Sequence, residues 1–135
     1  MVTYVVGTDG VEASETIRDH LLGEVAPGDT VEVLHVLSPG ADYDERSGGE
    51  AALSVFEELA EGVTVETRQV SRGRGPAEEL ARFAEEVDAD EIVVALRRHT
   101  RTERVIYGSV SHALLQKVTC PITLVPLPEY QPVAQ

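Results

Sequence analysis

Lysine occurs once in this chain, at Lys117, and cysteine once, at Cys120. A single cysteine excludes an internal disulfide. Long apolar runs are missing as well. No segment approaches the ~20 consecutive apolar residues of a membrane span. The stretch MVTYVVGTDG runs directly into a strand pattern, without the basic region and long apolar core of a secretory signal. Together these absences predict a cytoplasmic protein. No histidine or cysteine spacing reads as a metal site. Gly-x-x-x-x-Gly-Lys-Ser/Thr is absent, which removes a P-loop. Gly73-x-Gly75-x-x-Glu78 lacks the third glycine of a dinucleotide fingerprint.

Positive charge is scarce. Lys and Arg number 11 against 24 Asp and Glu, for a net charge of −13. Such a surface repels a phosphate backbone, so neither nucleic acid nor a membrane is an expected partner. The acid excess with a single lysine predicts a high-salt cytosol, because halophiles use self-repelling charge to stay soluble. An acidic mesophilic protein with arginine-rich codon usage is the alternative.

What is present is a regular alternation of strand and helix patterns within 135 residues, enough for one domain with a real core. Neither an internal repeat nor a domain boundary is visible; the domain is expected over 1–128, with a tail at 129–135. Tyr4-Val5-Val6 reads as a short strand, and Ala13, Ile17 and Leu21 mark one helical face. Val31–Leu37 is a second strand, Ser38–Gly49 an acid- and glycine-rich loop, and Ala52, Phe56, Leu59 and Ala60 a second helical face. Val63–Val70 alternates and is β-branched, as an exposed edge strand does. Pro76 fits the first turn of a helix, followed by the stripe Ala77, Leu80, Ala81, Ala84 and Val87. Ile92–Ala95 is a fourth strand, Ser109–Val118 a fourth helix and Ile122–Val125 a last strand. The fold class is α/β: an open, five-stranded, parallel, Rossmann-like sheet with helices on both faces. Ligands in such sheets bind outside the carboxyl ends of the strands, where the strand order reverses.

The richest segment is EIVVALRRHTRTERVIYGSVS. A buried strand gives way to a loop holding Arg97, Arg98, Arg101 and Arg104, and Gly108-Ser109-Val110-Ser111 then opens a helix. Free N–H groups and the positive end of a helix dipole make such a place an anion site. A plain N-cap by Ser109 is the other reading. The arginines either pair with phosphate, close a pocket or merely neutralise an acidic surface. Asp9 is either a turn residue of Asp9-Gly10 or a ligand-binding carboxylate at the end of the first strand. His35 and Cys120 read as core residues. No nucleophile with a positioned base is legible, since Ser109, Ser111 and His112 point in different directions on a helix.

VVGTDGVEASE, VEVLHVL, the Gly75-Pro76 helix start, DADEIVV and YGSVSHALLQKVTCPITLV resemble the universal stress protein family over nearly the whole chain. The resemblance implies strand order 3-2-1-4-5, as in adenine-nucleotide alpha hydrolase-like folds. It also implies a homodimer through Ile122, Thr123, Leu124 and Val125, and in a subset of members an ATP or AMP site. That site uses glycine, two residues, glycine, nine residues, then glycine with serine or threonine. Gly108 and Ser109 match its end, whereas Ala95 and Arg98 stand at the two earlier glycine positions. By the same resemblance Thr8 and Asp9 meet the nucleoside, and Val36 and Val94 line the base pocket. Gly108, Ser109, Val110 and Ser111 then hold phosphates. The expectation is a nonenzymatic stress-response protein, of haloarchaeal type, with a weak adenine-nucleotide site and an unnamed protein partner. The alternatives are a dimeric interaction module that has lost ATP, or a slow ATPase.

Overall fold

The computed structural model describes residues 1–96 and 113–128. In chain order the elements are β1 (Thr3–Gly7), α1 (Val11–Leu22), β2 (Thr30–Val36), α2 (Tyr43–Ser54), β3 (Thr64–Val70), α3 (Pro76–Glu86), β4 (Glu91–Leu96) and β5 (Ile122–Pro126). A helical segment at 113–115 precedes β5. The sheet order is β3-β2-β1-β4-β5, with every pair parallel. This is the expected α/β sheet, with the expected order.

Parallel neighbours need crossover connections, and these lay helices on both faces. The central strands are therefore apolar on both sides. Tyr4 and Val6 of β1, Val31 and Val33 of β2 and Val93 of β4 face Ile17 and Leu21 of α1 and Leu53 of α2. On the opposite face Val5, Leu34, Ile92 and Val94 meet Ala77, Leu80, Phe83 and Ala84 of α3, together with Leu114. β3 is the exposed edge its alternation predicts.

Two expectations need correction. Ser38–Gly49 is not wholly loop, since α2 begins at Tyr43. The Asp42 carboxylate accepts from Glu45 N at 2.8 Å, and Asp44 and Glu45 sit favourably in the first turn. The second helical face also ends early. Beyond Ser54 the chain turns, so Phe56 and Leu59 are buried from outside the helix and Ala60 is exposed. Of the fourth helix only 113–115 is helical among the described residues, and its expected start at Ser109 lies outside them.

The turn before β2 is closed by one buried carboxylate. Asp29 accepts from Val2 N at 2.8 Å and from Ala26 N at 2.9 Å. Those two backbone donors hold its carboxyl below the ordinary aspartate value. A depressed folded-state pKa stabilises the fold above the unfolded value of ~3.9, and that contribution is lost as pH falls through the folded value. Asp29→Asn leaves one of the two N–H groups facing an amide NH₂. The variant is expected to be less stable than wild type near neutral pH, with the gap narrowing below about pH 4. Urea midpoints measured across that range check this, and a gap independent of pH counts against the linkage.

Candidate functional site

Between β1 and β4 the order of strands reverses, and a cleft of ≈ 90 Å³ opens there at the carboxyl ends of the strands. Its lining is Gly7, Thr8, Asp9, Ala13, Leu34, Val36, Pro76, Leu80, Val94 and Ala95. Five of the sequence-predicted residues, Thr8, Asp9, Val36, Val94 and Ala95, thus come together from the loop after β1 and from β2 and β4. Arg98, Gly108, Ser109, Val110 and Ser111 lie outside the described residues, as do Arg97, Arg101 and Arg104.

Each wall has a local cause. Leu34, Val36 and Val94 face the α3 side of the sheet because strand side chains alternate. Leu80 reaches the cleft because α3 packs directly over Gly7, where an added Cβ would run into its side-chain methyls. Thr8 is buried. Its hydroxyl lies 2.6 Å from Ser14 Oγ and donates to Gly10 O at 3.0 Å, which fixes the loop between β1 and α1. Asp9 is exposed at the lip. Both α1, after Gly10, and α3, after Gly75, begin at this edge without a side-chain N-cap. Their dipoles leave partial positive charge at the rim. The arrangement suits a flat apolar group between the aliphatic walls, with polar and anionic substituents outside.

Gly7, Ala13, Leu34, Pro76 and Leu80 were not singled out as site residues from sequence. A glycine ending an apolar strand was the one available signal, for Gly7. His35 turns to the other face, where it is 5% exposed. Burial pushes its pKa down, while Glu45 and Asp9 pull it up, so it is a neutral core residue near pH 7. Cys120 packs half-buried against the α3-side core, and burial raises its thiol pKa. No group of three or more His, Cys, Asp or Glu able to hold a metal occurs among the described residues. Nor is any helix among them long and apolar enough to cross a membrane.

The model of the universal stress protein family matches residues 3–126. The chain belongs to that family. A universal stress protein of Methanocaldococcus jannaschii is 34% identical over 83 residues, 60% of this chain and 48% of that protein. The match thus covers about half the length of that relative. Among solved structures, a universal stress protein from Archaeoglobus fulgidus is 25% identical with a TM-score of 0.70, covering 93% of both chains. The A. fulgidus universal stress protein in complex with dAMP is 24% identical with a TM-score of 0.60, covering 93% of this chain and 98% of that one. The parallel sheet and its strand order are those of universal stress protein folds.

Proposed function

We propose that this universal stress protein binds an adenine nucleotide, AMP or ATP, across the carboxyl edge of its sheet and acts without catalysing a reaction. The observation that carries the reading is the convergence of Thr8, Asp9, Val36, Val94 and Ala95 on the cleft at the strand-order reversal. The dAMP complex of the A. fulgidus protein supports the ligand class. At ≈ 90 Å³ the cleft is below the ~300–1,000 Å³ of whole-ligand sites, so it takes the base alone. The base lies between Val36, Leu80 and Val94, and Asp9 accepts from a ribose hydroxyl. Gly108, Ser109, Val110 and Ser111 take the phosphates. Thr8 is no free nucleophile, because its hydroxyl is already engaged by Ser14 and Gly10.

A second reading, a dimeric interaction module without nucleotide, is favoured by Ala95 and Arg98 at positions where the resembled motif has glycine. Calorimetric titration with AMP and ATP, at low and molar KCl, separates the two. Wild type is expected to bind weakly, and Val36→Trp, which fills the cleft, to lose at least about tenfold in affinity. Arg98→Gly then sorts the roles of that arginine. Tighter binding means that Arg98 obstructs the site. Weaker binding with a shallower salt dependence means that it pairs with phosphate. No heat of binding in any folded variant leaves the interaction module.

A further inference from the structure

Glu79 is a carboxylate in the first turn of α3, yet its side chain is only 2% exposed. An ionised group that deep requires partners. It has two, both from the loop between β3 and α3. Arg72 Nη1 donates to Glu79 Oε1 at 3.4 Å, and Arg74 Nη1 donates to Oε2 at 3.2 Å. The two arginine side chains remain partly accessible, at 56% for Arg72 and 34% for Arg74. Phe83 sits one turn along α3, with the Arg68 guanidinium 5.0 Å above its ring. Arg72, Arg74, Glu79 and Phe83 border a hollow of ≈ 320 Å³.

One further ion pair reaches the loop, from Arg74 Nε to Glu78 Oε2 at 3.8 Å, and the rest of it is open. Ser71, Arg72, Gly73 and Gly75 are exposed, Gly73 has φ of 80°, and Cβ atoms at Gly73 and Gly75 would meet nothing. Glycines widen the range of conformations open to such a segment. The loop leads directly into Pro76 and Leu80, which form one wall of the cleft. Holding the loop against α3 fixes the entry into that wall at Pro76.

We propose that Glu79 is a positioning residue, a buried latch that docks the Ser71–Gly75 loop through Arg72 and Arg74 and so sets the α3 wall of the nucleotide cleft. The link to nucleotide rests on the function proposed above; the latch itself does not. Two readouts test it. The first is limited proteolysis by trypsin, which cuts after arginine, with the cut sites located by mass spectrometry. The second is the NMR position of the Leu80 methyl groups. Glu79→Gln keeps the shape and removes the charge. Losing charge-assisted hydrogen bonds implies cleavage after Arg72 and Arg74 faster by about tenfold or more. The Leu80 methyls are expected to shift, and AMP affinity to fall severalfold. The double variant Arg72→Lys, Arg74→Lys keeps both charges and is expected to restrain the loop better than Glu79→Gln. Should Glu79→Gln unfold, Arg72→Gln with Arg74→Gln opens the latch from its exposed side, read by the Leu80 methyls. Unchanged cleavage after Arg72 and Arg74 in folded Glu79→Gln would overturn the latch. Faster cleavage with unmoved Leu80 methyls would overturn the positioning role. Absence of nucleotide binding by wild type sinks the functional reading alone, because cleavage and methyl positions judge the latch without nucleotide.

Discussion

Replacing Leu124 by proline is expected to convert a homodimer into a folded monomer, whereas proline one residue later, at Val125, is expected to unfold the chain. The difference lies in which way each backbone group points. Ile92 N donates to Pro121 O at 2.9 Å, and Leu127 N donates to Leu96 O at 3.3 Å. In a parallel ladder, bonding and outward-facing residues alternate along the strand. Pro121 therefore turns its carbonyl to β4, residues 123, 125 and 127 turn both backbone groups there, and Ile122, Leu124 and the Pro126 carbonyl turn to the open edge. Pro126 already stands where a missing N–H costs the sheet nothing. Leu124 N–H is free to pair with a second copy about a two-fold axis, and that pairing is the dimer we propose. Val125 is 9% exposed and belongs to the α1-side core. Proline there removes an internal ladder bond and a core side chain together, which a paired strand position does not tolerate. Light scattering gives the mass and circular dichroism the fold. Wild type that is monomeric at tens of micromolar, or a Leu124→Pro dimer, would sink the edge-pairing proposal.

Alanine at two adjacent glycines of α2 should act in opposite directions. At Gly48 an added Cβ meets nothing within 4 Å. Gly48→Ala therefore shows only the gain in helix propensity, about 0.5–1 kcal/mol. Gly49 is buried, and a Cβ there collides with the ring of His35 and the amide of Gln69. Neither neighbour has much room to move. His35 is 5% exposed, and Gln69 Nε2 donates to Arg46 O at 3.0 Å while lying 3.4 Å from His35 Nδ1. Overpacking typically costs about 1–3 kcal/mol, which exceeds the propensity gain. A larger side chain at Gly49, such as leucine, is expected to prevent α2 from docking on β2 and β3. Urea unfolding of both alanine variants decides the matter, and equal stabilisation by the two would show that α2 does not pack this closely.

The glycine pair also shows why the start of α2 was illegible. Gly48 and Gly49 beside Asp42 and Asp44 have the composition of a loop. Composition is local, but the reason for glycine at 49 is a histidine on a strand and a glutamine on the next. Similarly, Glu79 reads as one more acid in the first turn of an acidic helix. Only packing of α3 over the sheet buries it and turns Arg72 and Arg74 toward it.

By itself the sequence determined the α/β class, the five strands and the apolar stripe of α3, because backbone periods of 2 and 3.6 are written in neighbouring residues. It also determined the edge character of β3, through alternation without a second apolar face, and, through topology, the carboxyl edge as the place where a cleft opens. Tertiary structure alone decided which side chains meet there. Gly7, Ala13, Leu34 and Leu80 sit on four different elements, and nothing in the local pattern of any one of them refers to the others. The cleft exists because a short residue at the end of β1 lets α3 approach, and the latch exists because α3 brings Glu79 beneath the loop that precedes it. Both are contacts between segments, and their free energy depends on distances that no single segment encodes.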